Sequence, residues 1–450
     1  MSKRSMSRRQ FLSGSLAFAG SLALAACAAP AAPASGGDAE TAAGGEAAPS
    51  QEAIELVFHS RLGSHADWHK SRVPLFEEQH PGLKLTIDEL DGAEMYTKVY
   101  ALAASGTVGD VVWTYLNNPP EHKAKGVMIP LDDIVAAKDY DLSPFWDSLL
   151  AAVSLNGQLH AIPNHGHYGT TAYYINRTLI EESGMEVPDS NWTVDDLLAV
   201  AKATTAAPEV WGMRASGTGQ EHIPSYLRTF GGDAINEEGT QSMFDQEGTI
   251  AGLRFLYDLL HSNEVDPCLC GDQIHENFVA GTVAIYNTTT GRVGQYNNMA
   301  QAGELPFEWD AIVSPIGPDG VRGSQVSAAA FCVTGNSDHP SEAFDVLTFY
   351  ATKEDGIEHV LFGAGSPGGR KDVWESDELN AIHPIFRTHQ ELYPDGPRKW
   401  HRPANARTTE FVDTMNNNLQ AIWTDSVGFD EGAALVHELV QEVLDKDSLA

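Results

Sequence analysis

The stretch Ile54-Glu-Leu-Val-Phe58, followed by His59-Ser-Arg-Leu-Gly63 and then Ser64–Gln79, decides the fold class. Its first five residues are rich in branched and aromatic side chains and read as a short strand, and the loop after them ends in glycine. Trp68, Val73, Leu75 and Phe76 then recur on one side of a helical period, and His80-Pro-Gly82 stops that helix. The alternation continues with a strand over Leu83–Ile87, a helix over Glu94–Ala104, a strand over Asp110-Val-Val-Trp113 and a short helix over Pro119–Lys125. Strands alternating with helices imply an α/β fold with a mostly parallel sheet and right-handed crossovers. Ligands of such sheets meet the loops at the carboxyl ends of strands, here His59–Gly63 and Thr114–Asn118.

Upstream lies a segment of another kind. Arg8-Arg9-Gln10-Phe11-Leu12 precedes an uncharged apolar run that ends in Leu24-Ala-Ala-Cys27. A basic start, a short apolar stretch and small residues before a cut site make an export signal over 1–27, and the run is too short for the ~20 residues of a membrane span. The paired arginines resemble a twin-arginine signal and Leu-Ala-Ala-Cys resembles a lipobox, which implies a lipid on Cys27 and an extracytoplasmic location at the cell membrane. Residues 28–52 are nearly all Ala, Gly, Pro, Ser and acid, a composition expected of a flexible tether.

The chain has 450 residues, 42% of them hydrophobic, enough for a sizeable core, and carries a net charge of −34. Loss of residues 1–27, with four basic and no acidic residues, would leave 24 bases against 62 acids. Such a surface repels phosphate backbones, which excludes a nucleic-acid partner. Beyond Cys27 the cysteines are Cys268, Cys270 and Cys332. A bridge from Cys332 to Cys268 or Cys270 and a set of buried thiols are both open readings, while a Cys268–Cys270 bridge would need unusual backbone geometry. No zinc spacing is present.

Downstream, Thr193-Val-Asp-Asp196 reads as a capping box, Glu247–Ser262 as an amphipathic helix, and Val283–Tyr286, Asp310–Val313 and Val326–Val333 as strands. Three late helices are expected near Glu378–Leu392, Asn405–Trp423 and Asp430–Lys446.

Several blocks in this order resemble the extracellular solute-binding proteins of bacterial ABC importers, in the maltose-binding-protein-like group. They are His80-Pro-Gly-Leu-Lys-Leu, Gly109-Asp-Val-Val-Trp113, Gly126-Val-Met-Ile-Pro-Leu-Asp-Asp133, Gly157-Gln-Leu-His-Ala-Ile-Pro163, Ala172-Tyr-Tyr-Ile-Asn-Arg-Thr-Leu179, Asn191-Trp-Thr-Val-Asp-Asp-Leu-Leu198, Phe278-Val-Ala-Gly-Thr-Val-Ala-Ile-Tyr-Asn287 and Val313-Ser-Pro-Ile-Gly-Pro318. The resemblance spans about 54–446. It implies a two-lobed, type II-like periplasmic-binding-protein fold with a ligand cleft between lobes and several hinge crossings. Lobe 1 would hold 53–168 and 309–375, and lobe 2 would hold 169–308 and 376–450. It further implies a monomer that closes on a mono- or oligosaccharide and delivers it to a permease, without cofactor and without catalysis.

A pyranose offers an apolar face for stacking and a rim of hydroxyls for polar side chains. The candidates lie where the cleft loops fall: Ser60 and Arg61 after the first strand, Glu94, Trp113, Tyr115 and Asn117 around the third, and Asn164, His165, His167 and Tyr168 at the first crossing. In the second lobe they are Gln220, Glu221 and His222, then Asn287, Thr288 and Thr289, then Trp400 and Arg402. Trp113 reads equally as stacking platform or core, and the threonines equally as ligand contacts or caps. Alternation puts His165 and His167 on one strand face, yet no acid or cysteine pairs with them and no metal is expected. A glycerol phosphodiester held by Arg61, Arg292 and Arg402, a polyamine held by Glu94 and Glu221, and a peptide are alternative solutes. An exported carbohydrate-active enzyme is a further alternative, although neither Gly-x-Ser-x-Gly nor His-Glu-x-x-His occurs.

Overall fold

The computed structural model describes residues 53–92, 94–115, 118–167, 172–219, 222–270, 273–324, 327–393 and 401–449, with backbone alone at 166–167 and 327–328. The export signal, Cys27 and the tether at 28–52 lie outside the described residues.

The opening stretch forms β1 (Ile54–Arg61), the helix Ser64–Gln79 and β2 (Leu83–Leu90). β1 runs parallel to β2 from Ile54 opposite Leu83 to Arg61 opposite Leu90. β3 (Val111–Tyr115) lies parallel on the other side of β1, pairing Phe58 with Val111. Gly109 makes that approach possible, because a Cβ there would stand 2.7 Å from the Val57 carbonyl oxygen. The chain then forms a two-residue hairpin, β4 (Ser154–Leu155) and β5 (Gln158–Leu159), with Asn156 and Gly157 at φ 53° and 79°, the positive values such a turn requires. β6 (Ile162–His167) completes the first sheet beside a late strand, β11 (Ser327–Val333), in the order β2-β1-β3-β11-β6.

From β6 the chain crosses to a second sheet built of β7 (Ala172–Asn176), β8 (Trp211–Arg214), β9 (Val283–Thr288) and β10 (Trp309–Val313), in the order β10-β7-β9-β8. It crosses back after β10 to β11 (Ser327–Val333), which pairs antiparallel with β3 and β6. β10 pairs with β7 along its whole length, so 309–313 belongs with the second sheet and not with lobe 1 as expected. Residues 377–392 touch both lobes, since His383 pairs with Asp310 and stacks on Trp309 of β10. Leu379, Ile385 and Phe386 pack into the first core cluster, whereas Phe411, Met415, Trp423 and Val436 of the last two helices pack into the second. The helix expected over 378–392 is two helices, Asp377–Ile382 and Ile385–Leu392, separated at His383-Pro384, where proline cannot continue a helix.

Two clusters of buried side chains hold these layers. The first, with Phe58, Phe76, Val111, Phe331 and Trp374, extends onto one face of the second sheet at Tyr174 and Tyr286; the other face, at Tyr173, Ile175 and Ile285, belongs to the second cluster. Strand alternation produces this division, since neighbouring residues point to opposite faces. The Thr193 capping box is present in full: its hydroxyl accepts from Asp196 N–H and the Asp196 carboxylate accepts from Thr193 N–H. Thr193→Ala is expected to cost about 1 kcal/mol, read as a lowered urea midpoint at unchanged slope.

Cys268 and Cys270 are disulfide-bonded and Cys332 is a buried free thiol, so neither the Cys332 bridge nor the all-thiol reading holds. Leu269 supplies the backbone geometry at φ 47°, and Asp266 fixes it by accepting the N–H groups of Cys268 and Leu269, each at 3.0 Å.

Candidate ligand cleft

β1 and β3 end, and the helix Ser64–Gln79 begins, at one edge of the first sheet. Facing them are the end of β9 and the short 3-10 turn Thr290–Arg292 that leads into the helix Val293–Gln301. Between the two sets lies a cavity of about 560 Å³. Arg61, Trp113, Tyr115, His165, His222, Thr288 and Thr289 line it, all of them positions singled out in the sequence.

Trp113 and Tyr115 are two apart on β3 and therefore share a face. Their rings meet edge to face at 4.5 Å, and the Arg61 guanidinium stands 5.9 Å from each ring centre. The Tyr96 hydroxyl accepts from Tyr115 N–H at 2.8 Å and anchors the end of the strand. Trp113 is 2% exposed and packs in the first core while lining the cavity.

His165 stacks on His359 with centroids 4.0 Å apart and hydrogen-bonds His69 between Nε2 atoms at 3.1 Å. His69 Nδ1 in turn bonds Ser60 Oγ at 2.8 Å. Burial, and secondarily the nearby His359, hold His69 well below the ordinary histidine value, so it is neutral at pH 7. Ser60 is thus buried behind the cleft, where it orients His69 and through it His165, and does not line the cavity as expected.

Other candidates are corrected in the same way. The ladder between β6 and β11 slips between Ala329 and Phe331, and Asn164 fills the gap. Its Oδ1 accepts from Phe331 N–H at 3.1 Å and its Nδ2 donates to Leu347 O at 2.6 Å, so its polar atoms serve backbone. Asn287 is buried, with Oδ1 accepting from Tyr226 OH at 2.5 Å. Glu94 is exposed at the start of helix Met95–Ser105, 3.5 Å from Lys98. Arg402 reaches a separate cavity of about 680 Å³ and donates to Ala152 O at 2.7 Å, joining the two lobes. No aromatic residue lines that cavity among the described residues, so it offers no platform for a sugar ring. The backbone of His167 lies in β6, and Asn117, Tyr168, Gln220, Glu221 and Trp400 lie outside the described residues.

The cavity also holds Arg292, which the sequence offered only for a phosphodiester, and groups it did not single out, His65, His275, Glu276 and Gln295 among them. His65 sits at the start of the first long helix, stacked on His359 at 5.7 Å. Gly365 leaves room for that pair, since a Cβ would meet His359 Cε1 at 2.7 Å and His65 Cε1 at 2.9 Å. On the second lobe, Arg292 Nη1 donates to Gln295 Oε1 at 2.7 Å, and His275 Nδ1 bonds Tyr296 OH at 2.8 Å. Burial, and then the Arg292 charge, lower the His275 pKa. Glu276 is the one carboxylate among the described lining residues. Sequence did signal His65, which directly follows the β1 loop; His275, Gln295 and Gly363–Gly365 come from distant segments and gave none.

Residues 62–357 match the family model of the bacterial extracellular solute-binding proteins. The arabinooligosaccharide-binding protein of Halalkalibacterium halodurans is 24% identical over 365 residues, covering 76% of this chain and 75% of that protein. Among solved structures, an ABC substrate-binding protein from Listeria monocytogenes in complex with cycloalternan superposes with a TM-score of 0.76 at 19% identity, over 87% of this chain and 99% of that one. A solute-binding protein from Thermotoga lettingae bound with α-D-tagatose gives 0.77 at 18% identity, over 87% and 100%. With a two-lobed α/β scaffold, a cleft between its sheets and a family match over most of its length, the chain belongs to the bacterial extracellular solute-binding proteins, and it is a binding protein rather than an enzyme.

Proposed function

We propose that this chain captures a carbohydrate outside the cytoplasm and delivers it to the permease of an ABC importer. The observation that carries this reading is the pair Trp113 and Tyr115, which with Arg61 line a polar cavity between two lobes. An aromatic platform takes the apolar face of a sugar, while Arg61, Thr288, Thr289, Arg292 and Gln295 offer partners to its hydroxyls. The sugar-binding relatives named above support the same class. A polyamine is disfavoured, since Arg61 and Arg292 line the cavity and Glu94 does not. In this reading the export signal is removed, Cys27 carries the lipid anchor, and the protein acts as a monomer whose lobes close on the ligand at the crossings between them. No helix of the described residues is long and apolar enough to cross a membrane.

The test is a thermal-shift screen with arabino- and maltooligosaccharides, tagatose and mannitol against polyamines, glycerol phosphodiesters and short peptides. A ligand of the folded state adds about 2.7 kcal/mol of stability at a hundredfold excess over its Kd. A saccharide is expected to shift the melting temperature, and Trp113→Leu to weaken its binding at least ~30-fold, about 2 kcal/mol, by removing the stacking surface. Shifts confined to the polyamines or peptides would overturn the carbohydrate reading.

A further inference from the structure

The cavity is unequally supplied with hydrogen-bonding groups. The helix Ser64–Gln79 opens on Gly63 without a side-chain cap, and this terminus lines the cavity with its positive end. Trp113, nine-tenths and more buried on the same wall, has an indole N–H with no hydrogen-bond partner among the described residues. Arg61 from one lobe and Arg292 from the other add two guanidiniums, which can only donate. Against these donors stands one described carboxylate, Glu276. The chain as a whole has 62 acidic and 28 basic residues, so the described charges of the cleft reverse the balance of the protein around it. Low-dielectric walls focus such a field on whatever enters.

A neutral hydroxyl accepts one hydrogen bond only by also bringing a proton that needs an acceptor. A carboxylate or phosphate only accepts, and its bonds to Arg are charge-assisted. We propose that the solute is a carbohydrate bearing an anionic oxygen group, a carboxylate or a phosphate, seated between Arg292 and the loop from Arg61 to His65; this rests on the carbohydrate reading above. The hydrogen bond from Arg292 to Gln295 holds one edge of the guanidinium and turns the other toward the ligand. Trp113 and Tyr115 stack the sugar ring, while Glu276 accepts hydrogen bonds from its hydroxyls.

The experiment is calorimetric titration of the full chain with matched sugars: glucose, glucuronate and glucose 6-phosphate, galactose and galacturonate, galactobiose and digalacturonate, in low and high NaCl. An acidic member is expected to bind at least ~tenfold tighter than its neutral partner, with the margin shrinking as salt screens the charges. Arg292→Gln is expected to abolish the margin, whereas Arg254→Gln, which removes an exposed ion pair with Asp430 on a remote helix, keeps it. Should Arg292→Gln fail to fold, Arg292→Lys keeps the charge without the planar fork and is expected to retain the salt dependence at reduced affinity. Binding of the uronates alone identifies a carboxylate and of the sugar phosphate alone a phosphate, and either supports the inference. Neutral sugars binding as tightly as their acidic partners overturn it and leave the carbohydrate reading standing; no saccharide binding at all overturns both.

Discussion

Lowering the pH from 7 to 5.5 is expected to remove on the order of 4 kcal/mol of folding stability. Burial pushes His359 down to about 4 and His122 and His389 each down to about 3, and it also lowers His69. All four are neutral when folded, yet in the unfolded chain they take up protons below about pH 6.5. The unfolded state therefore binds more protons between pH 6.5 and about 4, and stability falls with pH across that window, by roughly 1.4 kcal/mol per unit for each group. Buried acids oppose the trend, since burial raises both Asp266 and Asp355. Asp355 is raised to about 8, chiefly by burial, so it is protonated when folded and gains relative stability as pH falls through the same window, by about one such increment. Three net increments against a typical total of 5–15 kcal/mol leave a protein prone to acid unfolding. Urea unfolding at the two pH values measures this, and His389→Phe is expected to flatten the dependence because neither His389 nitrogen has a partner among the described residues. Equal midpoints at pH 7 and 5.5 would contradict the neutral burial of these rings.

The second large effect is expected from Gly294→Ala. Alanine inside a helix normally stabilises by about 1 kcal/mol relative to glycine. Here the added Cβ would lie 1.7 Å from the Val360 carbonyl oxygen and 2.8 Å from its carbon, both backbone atoms. The helices Val293–Gln301 and Lys353–Phe362 pass at this point, one leading from the cleft edge of the second sheet and the other packed behind that of the first. They must separate, and overpacking of that kind costs about 3 kcal/mol, which outweighs the helical gain. A lowered urea midpoint, with weaker ligand binding because Arg292 sits two residues away, is the expected outcome. A variant more stable than the parent would show that the helices part freely.

The elements were legible where local signals agree with tertiary contacts. β1, the helix after it and β2 combine strand-forming residues, an apolar helical stripe and a Pro-Gly stop, and all three formed, although β1 runs on to Arg61 through residues read as loop and β2 runs on to Leu90. The cleft loops were legible for a topological reason, since they follow parallel strands. Individual site residues were harder because sugar hydroxyls and buried backbone call for the same polar side chains. Asn164 and Asn287 have the chemistry of ligand contacts, but a β-bulge and a tyrosine hydroxyl take their polar atoms. Nothing local marks Ala364 as a neighbour of Ser64, whose hydroxyl donates to its carbonyl at 3.3 Å across 300 residues. The disulfide was misjudged because the positive φ of Leu269 cannot be seen in Cys-Leu-Cys.

Hydrogen exchange with and without a bound saccharide tests the central claim most directly, because a ligand held between lobes protects segments from both. Slowed exchange at 62–66 and 113–115 together with 288–292 is the predicted result. Protection confined to one of these lobes, or found instead at 151–156 and 402–404 around the second cavity, would contradict capture at the sheet edges.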